Sequence, residues 1–139
     1  MLRHSHLALV IAAVVQAGCG SDSPVGPSVG GDFSETRSGS VAVFSETRHP
    51  LTIPRSGDMT LRLTWSDANV DLNLYLANAS CSVSLYPLNS CDIVAQSIAA
   101  SGTSETIARS VTSGQEFQIW VDNLSTSTAM NYTLSIEIE

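Results

Sequence analysis

The sequence is poor in the residues on which many binding and catalytic functions depend. Of its 139 residues, 14% are charged and 6% are aromatic, and each of the 6 basic residues is an arginine. The formal net charge is -7, and the arginines form no run interleaved with aromatic residues. Because neutralising a phosphate backbone needs a basic footprint, these features argue against a nucleic-acid-binding protein.

Histidine is scarce outside the N-terminal segment. His4 and His6 lie near the N-terminus, which leaves His49 as the one imidazole in the rest of the chain. A Ser-His-Asp or Cys-His site would have to use His49 as its base, and a closed tetrahedral zinc site would lack ligands. His49 precedes Pro50, in a context typical of a turn or an edge strand. We therefore expect a surface histidine and a protein that is not an enzyme.

An export signal is present at the N-terminus. Arg3, His4 and His6 form a short polar segment, and Leu7–Val15 is an unbroken apolar run. Such a run is too short to cross a bilayer core of about 30 Å as a stable helix, and it is typical of a secretory signal. We assign residues 1–18 to this signal.

The end of the signal allows two cleavage sites. Ala17-Gly18-Cys19 resembles the lipobox of bacterial lipoproteins, in which the cysteine becomes the lipidated first residue, although Gln16 stands where that box usually has leucine. An ordinary signal peptidase could instead recognise Val15 and Ala17 and cut before Gly18. The first site produces a lipoprotein anchored in the bacterial cell envelope, and the second a soluble secreted protein.

The count of 3 cysteines favours the lipoprotein. A disulfide between Cys81 and Cys91 would close a loop of about ten residues and stabilise the fold by roughly 2 to 3 kcal/mol. Such bridges are common in exported proteins, and two free buried thiols are the alternative. If Cys81 pairs with Cys91, Cys19 has no cysteine left to pair with, and lipidation would give that residue a chemical role. We predict a lipid anchor at Cys19.

Residues 19–40 are predicted to be a flexible tether, because Gly, Ser, Pro and Asp dominate a segment without periodicity. At its end, the pentapeptide Phe33–Arg37 recurs as Phe44–Arg48. Two copies are too few for a solenoid, so a local duplication is the simple explanation. The alternative is that either copy can serve as the same first strand. The folded domain is expected to span residues 41–139.

The clearest fold signal lies in Met59–Ala77. Two runs with period-two alternation flank the polar segment Ser66–Asn69, and we interpret them as a β-hairpin. Its apolar rows, which are expected in the core, contain Met59, Leu61, Leu63, Trp65, Val70, Leu72, Leu74 and Leu76.

Further short strands are expected along the chain. Pro50 and Pro54 confine the first two to edges or strand ends. The predicted ranges are 41–45, 51–53, 93–98, 106–111, 117–121 and 132–138. About eight short strands with turn signals between them, and no helical period, indicate an all-β fold: a two-sheet antiparallel β-sandwich of jelly-roll type.

The polar segment between the two apolar rows presents oxygen atoms at alternate positions. Asp67, Asn69, Asp71 and Asn73 could begin a Ca2+-binding loop, although the glycine and the closing glutamate of an EF-hand are missing. Turns also need Asp and Asn for their own hydrogen bonds, which explains Asp67 and Asn69 without a metal. No other cofactor is expected.

A ligand-binding face is the other candidate site. Tyr75 and Trp120 lie on the sides of their strands opposite the apolar rows, with Gln118 and Asp122 beside Trp120. If the two strands are neighbours, they form a shallow platform on which a sugar ring could stack. The alternative is that the two rings pack across the strands, or lie under the cysteine-bracketed loop.

Several segments carry a resemblance to a known family. Val70–Leu76 reads VDLNLYL, and it is followed in order by Ser104–Ile107, Gly114, Phe117–Val121 and Tyr132–Leu134. These segments resemble the bacterial pre-peptidase C-terminal domain, a compact β-sandwich found beside secreted proteases and other exported enzymes. The family usually has a second aspartate where this chain has Asn73.

The resemblance implies a non-catalytic role, because domains of this family are not enzymes and some bind polysaccharide or fibrous protein. We therefore expect an envelope-anchored module that contacts polysaccharide or another exported protein through a sheet face or loops. The alternative is a structural partner of an exported protein, such as a secreted protease, with no small ligand of its own.

Overall fold

The structure, a computed structural model, describes residues 31–81 and 91–139. The predicted signal and residues 19–30 of the predicted tether lie outside these ranges. The strands are β1 (Phe33–Val41), β2 (Ser45–Thr52), β3 (Gly57–Trp65), β4 (Leu72–Asn78), β5 (Ile93–Ser97), β6 (Ser104–Val111), β7 (Glu116–Asn123) and β8 (Met130–Ile138). Within the two described ranges, no helical segment has the length and apolar character that crossing a membrane requires.

The strands form two antiparallel sheets of four. Sheet A has the order β1-β8-β3-β6, and sheet B has the order β2-β7-β4-β5. The inward side chains of both sheets meet in one core, which contains every member of the two predicted apolar rows. The predicted two-sheet antiparallel β-sandwich is therefore confirmed.

Strands β3 and β4 do not form the predicted hairpin. β3 pairs with β6 and β8 in sheet A, whereas β4 pairs with β5 and β7 in sheet B. The connection between them crosses from one sheet to the other. Trp65 stabilises the connecting segment, because its indole Nε1 donates hydrogen bonds to the carbonyl oxygens of Asp67 at 3.1 Å and Val70 at 2.9 Å. Alternation shows only which side of a strand is apolar, so it predicts a shared core but not a shared sheet.

The folded domain begins earlier than predicted. β1 starts at Phe33, inside the range assigned to the tether. Its inward positions include Glu35, Arg37 and Gly39, so a search for apolar periodicity does not detect it. The predicted strand at 41–45 is also wrong, because residues 42–44 connect β1 to β2.

The two copies of the repeated pentapeptide lie on edge strands of opposite sheets. The first copy lies in β1, which pairs with β8, and the second ends in β2, which pairs with β7. Glu35 and Arg37 share the inward side of β1 with the buried Val41. Arg48 instead lies on the outer side of sheet B, with its guanidinium 5.6 Å from the centre of the Trp120 ring. The same five residues therefore present opposite sides to the core.

Side-chain hydrogen bonds join the sheets along the two open sides of the sandwich. On the β5–β6 side, the buried Glu105 carboxylate accepts hydrogen bonds from the Ser97 hydroxyl and, at 2.7 Å, from the Ala99 backbone N–H. On the β1–β2 side, the Arg37 guanidinium donates to the Pro50 carbonyl oxygen at 2.7 Å. Because β1 and β2 belong to different sheets, as do β5 and β6, these side chains supply the connections that a backbone ladder cannot make.

Candidate functional site

The four residues of the predicted ligand face lie on the outer side of sheet B. β4 and β7 are direct neighbours, and Tyr75 is paired with Trp120 across them. Gln118 and Asp122 flank Trp120 along β7. The strand neighbourhood on which the predicted platform depended is therefore present.

Both aromatic rings of this face are buried. Tyr75 is 4% exposed and Trp120 is 2% exposed, and they pack with Ala77 and Cys81 in an apolar cluster separate from the main core. Trp120 Nε1 and Gln118 Oε1 are also buried, and neither has a hydrogen-bond partner. A sugar stacks only on an aromatic face that it can reach. The open platform is therefore not formed, and the rings have the cross-strand arrangement of the alternative interpretation.

The Tyr75 hydroxyl faces a group of polar side chains at one end of this cluster. Burial raises the pKa of Tyr75, and the negative charges of Asp122 and Asp71 raise it further, whereas a hydrogen bond with Asn73 lowers it. The phenol is therefore neutral at physiological pH. A neutral phenol suits packing and hydrogen bonding, and it is a poor nucleophile.

The turn predicted to bind calcium is organised by its own hydrogen bonds. Asp67 Oδ1 accepts hydrogen bonds from both the backbone N–H and the side-chain amide of Asn69, each at 2.9 Å. Asn73 is buried in β4 and interacts with Tyr75. In residues 31–81 and 91–139, no group of three or more His, Cys, Asp or Glu side chains is placed to hold a metal ion. Asp67 and Asn69 make the contacts of the metal-free interpretation. Calcium binding by Asp67, Asn69, Asp71 and Asn73 stays a prediction.

The predicted disulfide is present. Cys81 and Cys91 are 10 residues apart in sequence, and their Cα atoms are 5.1 Å apart. The bridge closes the connection between β4 and β5, next to the hydrogen bond from the Asn78 backbone N–H to the Asp92 carbonyl oxygen at 3.1 Å. Structural disulfides of this kind indicate an exported protein. Cys19 lies outside the described residues, so its lipidation stays a prediction.

His49 is half-buried and is not the surface residue that we expected. Its Nε2 lies 2.7 Å from the Tyr132 hydroxyl, and the two rings meet edge to face with their centres 5.9 Å apart. Burial lowers the pKa of His49, the positive charge of Arg37 lowers it further, and the negative charge of Glu35 opposes them. The imidazole is therefore neutral at pH 7, and it joins β2 of one sheet to β8 of the other.

The large hydrophobic side chains that the described residues expose all lie at one end of the sandwich. Phe44 is 75% exposed, Ile98 50%, Val43 43% and Leu124 39%. They belong to the β1–β2, β5–β6 and β7–β8 connections, which the antiparallel topology brings to the same end. We call the surface formed by these four residues the apolar end. Single exposed apolar residues are common, but their concentration in loops at one end is typical of an interaction surface.

Phe44 is held in an unfavourable backbone conformation. Its φ of 46° lies in the left-handed region, and among the described residues no other non-glycine residue has a positive φ. This conformation costs an L-residue roughly 1 to 2 kcal/mol. The Phe44 backbone N–H donates to the Ser125 carbonyl oxygen at 2.9 Å, which ties the β1–β2 turn to the β7–β8 turn. Backbone strain of this kind is concentrated at functional sites, where the surrounding structure maintains it.

A buried asparagine fixes both turns. Asn123 is 0% exposed, and its side-chain amide donates to the carbonyl oxygens of Ala42 at 3.1 Å and Thr128 at 2.8 Å. Its Oδ1 accepts the Ser125 backbone N–H at 2.9 Å. The exposed side chains of the two turns are therefore displayed on a pre-organised frame.

The sequence pattern does not predict this surface. Ala42-Val43-Phe44 is an apolar triplet, and such a triplet is easily assigned to a strand. A left-handed φ is usually inferred from Gly, Asn or Asp, so a phenylalanine gives no warning of it.

Three solved structures share the fold of this chain. The periplasmic inhibitor of g-type lysozyme PliG from Aeromonas hydrophila has a TM-score of 0.58 and 12% identity, over 78% of this chain and 89% of that chain. The Yersinia pseudotuberculosis-derived mitogen has a TM-score of 0.55 and 16% identity, over 77% and 86%. The pre-peptidase C-terminal domain of a Bacillus anthracis collagenase has a TM-score of 0.55 and 12% identity, over 75% and 89%.

No family model matches the chain, and no curated protein matches it by sequence. At the low identities of the three structures, the likeness shows a shared fold alone. The resemblance to the pre-peptidase C-terminal domain is therefore supported in its architecture.

Proposed function

We propose that this chain is an exported, non-catalytic β-sandwich module that binds another protein through its apolar end. One observation carries the proposal: the large exposed hydrophobic side chains of the described residues lie in connections at that end, and Phe44, the most exposed of them, has a strained backbone. Docking a partner there removes apolar surface from water, which is the dominant favourable term in most protein associations.

A non-catalytic role is supported by the structural use of two titratable groups, the buried Glu105 and the half-buried His49. Glu105 is bonded to Ser97 and Ala99, and His49 is bonded to Tyr132, so both serve to join the two sheets. Three of the neighbours in fold are an inhibitor of g-type lysozyme, a mitogen and the pre-peptidase C-terminal domain of a collagenase. An inhibitor acts by binding a protein, which agrees with the same use of the fold here.

A protein partner is favoured over a polysaccharide. The aromatic residues that would stack on sugar rings, Tyr75 and Trp120, are buried. A sugar stacks only on an aromatic face that it can reach.

The module is proposed to be anchored in the cell envelope through a lipid on Cys19. The disulfide and the periplasmic location of one neighbour support export. Cys19→Ser should release the protein from membranes and stop acyl labelling. Unchanged fractionation and unchanged labelling would overturn the anchor and favour a soluble secreted protein.

Site-specific cross-linking tests the binding function. A photo-reactive amino acid is placed at position 44 of the full chain, and in a matched variant at Thr112, an exposed residue in the connection at the opposite end. Irradiation of producing cells should join one specific protein to position 44 and not to position 112. That protein, once purified, should bind the unmodified chain and lose affinity for Phe44→Asn. An absence of adducts at position 44, or the same adducts at both positions, contradicts the proposal.

A further inference from the structure

Beyond the existence of a partner, the charges around the apolar end indicate what kind of protein surface it fits. Four connections meet at this end, at residues 42–44, 66–71, 98–103 and 124–129. Among them, the charged side chains are Asp67 and Asp71.

The arginines are placed elsewhere. In the described residues they occupy β1, β2, β3, β6 and the connection between β2 and β3, and none lies in the four connections at the apolar end. The Debye length in physiological salt is about 8 Å, so charges in these loops act on groups within the same interface and little beyond it. The end therefore combines exposed hydrophobic side chains with a local negative potential.

Resting on the proposed function, we infer that the apolar end fits a protein surface with an apolar pocket rimmed by Lys or Arg, and that Phe44 is the side chain that enters the pocket. Phe44 is the most exposed of the four residues, and the Asn123 frame holds its turn before any partner arrives. A pre-organised aromatic anchor loses little conformational freedom on binding. The basic rim would pair with Asp67 and Asp71, which steers the encounter and fixes its orientation.

The direction of the chain favours a protein over a lipid surface. The described chain starts beside the opposite end, where the Gly31 carbonyl oxygen accepts a hydrogen bond from Arg55 at 2.8 Å and Phe33 pairs with Ile138. The 9 residues of β1 separate that point from the turn of Phe44, which at the usual rise is about 30 Å. The apolar end is therefore the end of the sandwich that lies farther from the start of β1. Anionic lipid would also repel Asp67 and Asp71.

The test uses the full chain and, as its probe, the purified protein that is cross-linked at position 44. Phe44→Asn should raise the dissociation constant by about 30-fold or more. Asp67→Asn combined with Asp71→Asn keeps the side-chain oxygen that the turn uses and removes two charges, and it should weaken binding by about two- to tenfold. It should also reduce the dependence of binding on salt. Asp32→Asn combined with Glu116→Gln removes two charges far from this end and should leave binding and its salt dependence unchanged.

Each outcome has a defined meaning. If position 44 yields no adduct, the proposed function is wrong, and this inference is overturned with it. If the adduct forms but Asp67→Asn with Asp71→Asn leaves the affinity and salt dependence intact, the basic rim is wrong while the binding function stands. Sedimentation of the Cys19→Ser chain with vesicles of phosphatidylglycerol and phosphatidylethanolamine checks the lipid alternative. Phe44-dependent binding to those vesicles would overturn the choice of a protein pocket, and its absence supports that choice.

Discussion

The Tyr132 hydroxyl lies 2.7 Å from His49 Nε2, and this contact ties an inner strand of one sheet to an edge strand of the other. Tyr132 reaches His49 by crossing Gly39, its direct partner on β1, which leaves open the space that the ring occupies. A half-buried histidine therefore contributes to holding the sandwich together along its β1–β2 side. Stability should depend on the ionisation of that histidine.

Acid should destabilise the fold in two steps. The pKa of His49 is lowered from 6.5 in the folded state, so the unfolded chain binds a proton first as the pH falls. Stability is therefore lost as the pH falls from about 6.5 to the folded-state pKa, and the loss is complete below it. The pKa of Glu35 is lowered from 4.5 by its hydrogen bond with Arg37, so its contribution is lost at lower pH, through the folded-state value of that carboxyl.

Urea unfolding of the full chain between pH 2 and pH 8 measures this dependence. His49→Gln should flatten the slope of the unfolding free energy just below pH 6.5 and leave the slope due to Glu35. The same slope in both proteins around pH 6 would contradict the role assigned to His49.

Gly39→Ala should destabilise the protein through the Tyr132 ring. A Cβ at position 39 would clash with the Tyr132 hydroxyl oxygen and lie 2.6 Å from Cζ, so the ring must move and its contact with His49 is broken. Overpacking of this kind costs about 1 to 3 kcal/mol. Gly31→Ala is the matched control, because a Cβ there meets no atom within 4 Å. Equal unfolding free energies for the two variants would show that β1 adjusts without loss.

Removing the carboxylate of Glu105 should loosen the opposite side of the sandwich. Glu105→Ala leaves the Ala99 N–H and the Ser97 hydroxyl without their acceptor, at a cost of about 1 to 3 kcal/mol in unfolding free energy. Glu105→Gln keeps one oxygen acceptor and should lose less. If the two substitutions cost the same in urea unfolding, packing at position 105 matters and the hydrogen bonds do not.

Phe44→Asn should increase stability while it removes binding. Asparagine adopts the left-handed region more readily than phenylalanine, so the strain at φ 46° is relieved. The unfolding free energy should rise by about 1 kcal/mol. Leu124→Asn, at an exposed site of the neighbouring turn, should give no such increase. A loss of stability in Phe44→Asn would mean that the ring serves the fold and not a partner.

The fold class could be predicted from the sequence because half-buried strands carry a period-two signature. The rows of β3, β4, β7 and β8 alternate with few interruptions, and the structure buries their apolar members. The disulfide could be predicted because Cys81 and Cys91 lie at the two ends of one loop, in a chain that carries an export signal. Strand β1 could not be predicted from alternation, because its inward side carries Glu35, Arg37 and Gly39 where an apolar row would be expected. These residues lie at the edge of the sandwich.

The candidate site could be predicted only in part. The alternation placed Tyr75 and Trp120 on the sides of their strands opposite the apolar rows, and the structure shows that these strands are neighbours and that the two residues are paired. Whether such a side is open to solvent depends on what covers it, and the sequence pattern holds no information about covering. The turn of Phe44 was missed because a left-handed phenylalanine contradicts its own local preference.

By itself, the sequence determined the all-β class, the apolar rows of the core and the pairing of Cys81 with Cys91, because each depends on residues that lie close together along the chain. The tertiary structure alone decided that β3 and β4 belong to different sheets, that the predicted aromatic platform is buried, and that four exposed hydrophobic residues from three separate connections share one end. These features depend on contacts between segments that are distant in sequence, and a side chain becomes buried or exposed only when those segments have packed together.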